Sequence, residues 1–283
     1  MVRALLIMLI AMSLIPAGDA ASKVMTAQLG VAPIYVVWTR FALGALLLAG
    51  LTWRSFAGHW RDWRIWLRSL LVGGGITSIT QALSLAPLAD VFGAFFIAPI
   101  ISFLLSVWLL KERVTLVQTG LVCIGFVGVL LIVRPGFAPS PGLGWAVLAG
   151  AFYGGFLTAS RWLSQEVPLG ALMLSQMLGP ALLTAPLAIG QFPEVTAQIG
   201  WLTLASGTFS MMGNVLLLFA YKLQDASKLA PFVYFQVISA VVLGWAVFSD
   251  LPDAATFAGI ALIIGAGAAV AWLQSRRPRA ARA

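Results

Sequence analysis

Three ionisable side chains stand where long apolar runs leave little water: Asp19, Lys23 and Arg40. A charge inside hydrocarbon costs on the order of 3 kcal/mol or more, so each predicts a partner, a wet cavity or a reach to the lipid surface. Asp19 and Lys23 are one helical turn apart and can neutralise each other near the interface. The alternative makes Asp19 an ion-coupling carboxylate, because a buried acid with a raised pKa exchanges protons as its exposure changes. Pro16, just before it, would loosen the same helix. Arg40 has two candidate partners, Asp19 and a carboxylate on a bound molecule, and it can also serve structure alone.

Neutral polar residues add a second layer. Thr77, Thr80, Gln81 and Ser84 recur at helical spacing, as do Thr203, Ser206, Ser210, Asn214 and Tyr221, giving two helices one wettable face each. Thr and Ser can bond their own backbone or a neighbouring helix, whereas the amides of Gln81 and Asn214 need several partners and favour a pocket. Gln176 and Gln236 join them as candidate binding residues. Trp38, Tyr153, Tyr221 and Tyr234 could stack on a planar or cationic ligand, or simply pack with a satisfied hydroxyl.

The elements that position these groups follow from composition. Of 283 residues, 61% are hydrophobic and 9% charged, far from the usual balance of a soluble domain. Runs of the roughly 20 apolar residues a bilayer requires recur at 3–22, 31–53, 65–85, 87–110, 114–133, 143–163, 168–190, 198–221, 226–248 and 253–273. The net charge of +8 is spread over loops rather than gathered in a patch, which speaks for membrane orientation and against nucleic acid. Assigning the odd-numbered loops to the outside leaves only Lys23 and Arg134 there and places Arg54, Arg61, Arg64, Arg68, Lys111, Arg113, Arg161 and the basic tail in the cytoplasm, with both termini. Trp53, Trp60, Trp63 and Trp66 read as an interfacial belt. Met1–Ala21 also resembles a secretory signal.

Shifting the chain on itself by 138 residues speaks against cleavage there: Ser22-Lys23 meets Ser160-Arg161, Gly75 meets Gly213, Ala82 meets Ala220 and Glu112 meets Asp250, without a gap. Each copy holds five spans, and an odd number forces the second copy to enter from the opposite face. The expected fold class is therefore an all-α polytopic membrane protein with ten transmembrane helices as two inverted five-helix repeats, residues 1–137 and 138–273, followed by a basic tail at 274–283. The linker Arg134–Gly142 carries Pro135, Gly136, Pro139, Pro141 and Gly142, which break a helix. The fifth and tenth spans carry few polar side chains and many Gly and Ala, as helices packed through small residues do, and a homodimer contact is one use for them.

From Gln81 to Pro135 the chain carries Ala82-Leu83, Pro99, Lys111-Glu112-Arg113, Gly120, Gly125 and Gly128-Val129. This resembles the EamA-type repeat of the drug/metabolite transporter superfamily, and 219–267 repeats it in weaker form, with Asp250 at the place of Glu112. The resemblance implies a ten-helix secondary transporter of a bacterial inner membrane. Its cavity would lie between spans one to four and six to nine, and its substrate would be a small molecule. Export of amino acids or similar metabolites is the first implication, and uptake of a larger nucleoside-like or flavin-like compound the second. No cofactor is implied; the partners are substrate, lipid and protons.

Other classes fit worse. Hydrolases and metal enzymes need a nucleophile–base pair or a ligand cluster within the membrane, and the one histidine, His59, lies in a loop. Gly73-Gly74-Gly75 is followed by no Lys-Ser/Thr pair, so it is no phosphate loop, and Glu112 reads as a helix cap. Inverted halves without a charged ring favour a carrier over a passive channel.

Overall fold

The structure is a computed structural model that describes residues 2–109, 111, 116–133, 141–163, 166–194, 196–223 and 235–275. Linker residues 134–140, Glu112, Tyr234, tail residues 276–283 and the side chains of Tyr221 and Arg161 lie outside the described residues, while Pro141 and Gly142, expected to break a helix, open one instead, as a proline in a first turn can. The helices are α1 (Val2–Lys23), continued by a π-helical turn (Val24–Gln28), α2 (Pro33–Ala57), α3 (Trp63–Leu83), α4 (Leu88–Phe95), α5 (Ile97–Leu109), α6 (Leu116–Val133), α7 (Pro141–Leu163), α8 (Leu169–Ala188), α9 (Ala197–Leu223), α10 (Phe235–Phe248) and α11 (Ala254–Ser275). Segments such as Pro33–Ala57 and Leu169–Ala188 are long and apolar enough to span a bilayer. Leu51 and Leu116 are 86% and 91% exposed, as only lipid-facing residues of such a bundle would be. The chain is thus an all-α polytopic membrane protein, its described helices forming ten crossings when α4 and α5 are taken as one.

That shared crossing departs from expectation. The apolar run at 87–110 predicts one helix, but it breaks at Phe96. Pro99 supplies the reason, since it has no N–H for the carbonyl of Phe95 and its ring crowds that carbonyl. The broken backbone is received by glycines one turn apart on α7: a Cβ on Gly150 would stand 2.7 Å from Phe95 O, and one on Gly154 would stand 2.7 Å from Ala98 O. Small residues let the backbones close to a distance no larger side chain permits.

Two inverted five-helix repeats are visible in the contacts themselves. α1 packs on α9 and α3 on α7, while α2 packs on α8 and α6 on α11. A Cβ on Gly213 would meet Ala11 O at 3.1 Å and Ile15 N at 3.2 Å; one on Gly75 would meet Ala149 O at 3.5 Å and Tyr153 N at 3.6 Å. Each partner in the second set is 138 residues from its counterpart in the first (11 to 149, 15 to 153, 75 to 213). Reciprocal pairing of this kind is what a two-fold axis generates. The two non-glycine residues with left-handed backbone, Lys111 (φ 52°) and Ser249 (φ 58°), obey the same offset.

The small-residue helices find each other. A Cβ on Gly128 of α6 would lie 2.7 Å from Gly259 O of α11 and 2.9 Å from Ile263. Gly128 and Gly259 are thus used within the chain, whereas a Cβ on Gly120 of α6 or Gly265 of α11 would meet nothing within 4 Å.

Candidate functional site

Between the two repeats lies a cavity of about 520 Å³ lined by α1–α5 and α7–α10, with Gly267 of α11 reaching its edge. One wall is aromatic: Phe92, Phe95, Phe96, Tyr153 and Phe156 all face it, the Phe95–Tyr153 and Tyr153–Phe156 ring centroids being 5.1 and 5.2 Å apart. Phe95 ends α4 and Phe96 lies at the break, so the break faces the cavity. Met12, Met173, Met177 and Met211 complete the apolar lining with flexible, polarisable side chains. The charged side chains Asp19, Arg40 and Arg68 face the same cavity.

Asp19 and Arg40 form a direct ion pair between α1 and α2, both nearly fully buried. Arg40 also donates from Nε to Ser210 Oγ of α9 at 2.7 Å. The pairing of Asp19 with Lys23 does not occur. Lys23 turns away, placing Nζ 3.0 Å from Asp250 Oδ2 and 4.4 Å above the Phe248 ring. Left-handed Ser249 ends α10 and presents the neighbouring Asp250. This bridge ties the two repeats at one end of the bundle. At the other end Arg64 joins Asp62 at 2.9 Å and Glu166 at 2.6 Å. Asp62 caps α3, and the side-chain hydrogen bond from Arg64 holds its carboxyl below the ordinary carboxylate range.

Arg68 was expected in the cytoplasm with its basic neighbours, and the structure corrects this. It lies one turn into α3, is 5% exposed and lines the cavity. It donates to Ser160 Oγ at 2.7 Å, Leu172 O at 2.8 Å and Gln176 Oε1 at 2.9 Å, and its guanidinium lies 4.5 Å from the Phe156 ring centroid. The repeat carried a signal for it: an offset of 138 maps Arg68 onto Ser206, in the polar stripe of the eighth span.

Of the residues expected at a binding site, Asp19, Arg40, Tyr153, Gln176, Asn214 and Gln236 line this cavity. Asn214 donates to Ser210 O at 2.8 Å, leaving its amide oxygen for other donors. Three others lie elsewhere. Trp38 lines a separate groove between α2 and α9 and packs edge-on against Phe192 at 5.6 Å. Thr77 bonds its own backbone at Gly73 O, 2.8 Å away. Gln81 is half-buried near the end of α3, away from the cavity lining. Tyr234 and the Tyr221 side chain lie outside the described residues. Among the described residues no group of His, Cys, Asp and Glu could hold a metal ion.

Comparison with known proteins agrees with this architecture. The model of the EamA-like transporter family matches twice, at residues 2–134 and 140–272. The S-adenosylmethionine uptake transporter of Rickettsia conorii is 26% identical over 208 residues, 70% of this chain and 68% of that protein. The pseudopaline exporter CntI of Pseudomonas aeruginosa is 28% identical over 235 residues, covering 81% and 82%. The riboflavin transporter of Brucella anthropi is 26% identical over 216 residues, covering 71% and 73%. One solved crystal structure, 21% identical, superposes with a TM-score of 0.68 over 97% of this chain and 98% of its own, a likeness of fold alone. With both halves of the sequence matched, the chain belongs to the EamA-like transporter family.

Proposed function

We propose that the chain is a secondary carrier that moves a ring-bearing organic metabolite, nucleoside-like or flavin-like in size, by alternating access of its central cavity. The observation that carries this is the combination of aromatic rings and buried charged side chains lining one cavity of about 520 Å³. Such a volume is in the range of sites for small organic ligands, with rings for a planar body and a few polar groups to fix its orientation. The cavity lies between two inverted repeats, the arrangement in which rocking one half against the other exposes the same site to either side. Division of the chain at 1–137 and 138–273, with a tail at 274–283, is part of this reading. S-adenosylmethionine and riboflavin, named for two relatives, are of the proposed kind. A second reading, export of amino acids or related compounds, is favoured by the buried acid and base facing one space, which suit a zwitterion, and by the relation to an exporter.

Direction then follows from the gradient a carrier is coupled to, and Asp19, an acid lining the cavity, is the ion-coupling residue of this reading. The loop charges put the Lys23–Asp250 end outside and both termini in the cytoplasm of a bacterial inner membrane. The experiment is counterflow in proteoliposomes over a panel of nucleosides, flavins and amino acids. The reading expects one class to show uptake accelerated by the same compound inside. Uptake indifferent to internal substrate would make the protein a channel and end the proposal.

A further inference from the structure

The two buried arginines of the cavity are not equivalent. Arg40 is neutralised by Asp19. Arg68 is held only by neutral oxygens, those of Ser160, Leu172 and Gln176, and among the described residues no carboxylate lies within salt-bridge distance of it. A guanidinium has five N–H donors, so three hydrogen bonds leave two unused. Burying a charge without a counter-ion is unfavourable, and a protein that keeps one has left the site electrostatically incomplete.

The inverted repeat separates fold from function here. Ser160 and Arg68 hydrogen-bond where α3 crosses α7; their repeat mates, Ser22 and Ser206, hydrogen-bond at 2.7 Å where α1 crosses α9 (22 to 160 and 68 to 206, an offset of 138). The same crossing is thus closed by two hydroxyls in one copy and by a cation and a hydroxyl in the other. Packing at this junction does not require a charge.

We infer that Arg68, with Gln176 beside it, is the binding point for an anionic oxygen group, a carboxylate or its equivalent, on the transported molecule. This rests on the transport reading and adds the substrate's charge to it. The planar guanidinium offers its remaining N–H groups to two oxygens, the geometry in which arginine binds carboxylates and phosphates most strongly. Its face rests near Phe156, so the anionic group and the aromatic wall are adjacent, and one molecule carrying both a ring and an acid can occupy them together.

The test uses the full chain with Cys123→Ala and a single cysteine at one of two cavity positions. Met173 follows Leu172, whose carbonyl binds Arg68; Met211 follows Ser210, whose hydroxyl binds Arg40. The probes are a sulfonate-bearing and a trimethylammonium-bearing methanethiosulfonate of similar size, their rates normalised to a free thiol. The anion-over-cation preference at Met173→Cys should exceed that at Met211→Cys on the order of 10-fold, fall to the Met211→Cys level with Arg68→Gln, and persist with Arg68→Lys. Equal preferences at the two positions, a comparison that needs no change at Arg68, would overturn the inference and leave transport standing. So would a preference at Met173→Cys that Arg68→Gln leaves intact. No reaction at either position from either side of the membrane would remove the aqueous cavity, and both readings with it.

Discussion

The crossing of α1 with α9 and the crossing of α3 with α7 are copies of each other, but their chemistry has diverged. The first buries the serine pair Ser22–Ser206 and, one turn further along α9, lets Ser210 steady an arginine already neutralised by Asp19. The second puts an arginine in the serine's place and, among the described residues, gives it no acid. Duplication sets the scaffold, and departures from symmetry mark what the scaffold was adapted to do. A residue whose repeat mate does the same packing without charge is a stronger candidate for ligand contact than one whose charge completes an internal pair.

The largest expected effect falls on the neutralised side. Arg40→Ala leaves Asp19 buried without its cation and should cost about 3–5 kcal/mol, the range for breaking a buried pair. The measurements are monodisperse yield and thermal melting in detergent, with transport abolished. Arg40→Lys should retain part of both, because the pair needs charge while Ser210 needs the guanidinium Nε. Undiminished stability in Arg40→Ala would show that Asp19 finds another partner and would break the contrast.

Arg68→Ser rebuilds the serine pairing of the twin crossing. Folded protein should survive while transport of an acidic substrate falls roughly 30-fold, as expected from a loss of about 2 kcal/mol at one charged contact. An amide or ester of the same substrate should be carried equally by both proteins. A melting loss as deep as that of Arg40→Ala would make Arg68 structural after all.

Smaller effects belong to the bundle ends and to the serine pair. Asp250→Asn strands Lys23, which is 7% exposed, and should cost about 1–3 kcal/mol, between surface and buried pairs because Asp250 is itself partly exposed. Ser206→Ala removes one interhelical hydrogen bond and should cost about 0.6 kcal/mol, the average for such bonds in membranes, with transport kept. Both are read from melting curves beside the wild type.

Much of this was legible because hydrocarbon is unforgiving. Asp19 and Arg40 stand out in apolar runs, and their pairing was one of two partners the sequence allowed. Asn214 and Gln176 announced themselves as amides that a membrane must satisfy. Arg68 did not, because it follows Arg61 and Arg64 at a span boundary, where basic residues are ordinary. Whether such a residue snorkels outward or turns inward depends on its facing neighbours, here Ser160, Leu172 and Gln176, which come from two distant helices. Gln81 lies away from this cavity's lining for a related reason: periodicity gives a helix one polar face but does not say which neighbour that face meets. Pro99 was visible too, but a proline within an apolar run is compatible with a mild kink as well as with the break found at Phe96.

The central claim is that one aqueous cavity between the repeats serves both sides of the membrane, and Asn214 tests it most directly. A single cysteine there, in the Cys123→Ala background, is exposed to a membrane-impermeant thiol reagent from one face and then the other in oriented vesicles. Ile263→Cys, buried between α6 and α11, is the dry reference. The account predicts labelling of Asn214→Cys from both faces and none of Ile263→Cys. Labelling of Asn214→Cys from a single face under every condition, or no faster than Ile263→Cys, would contradict it.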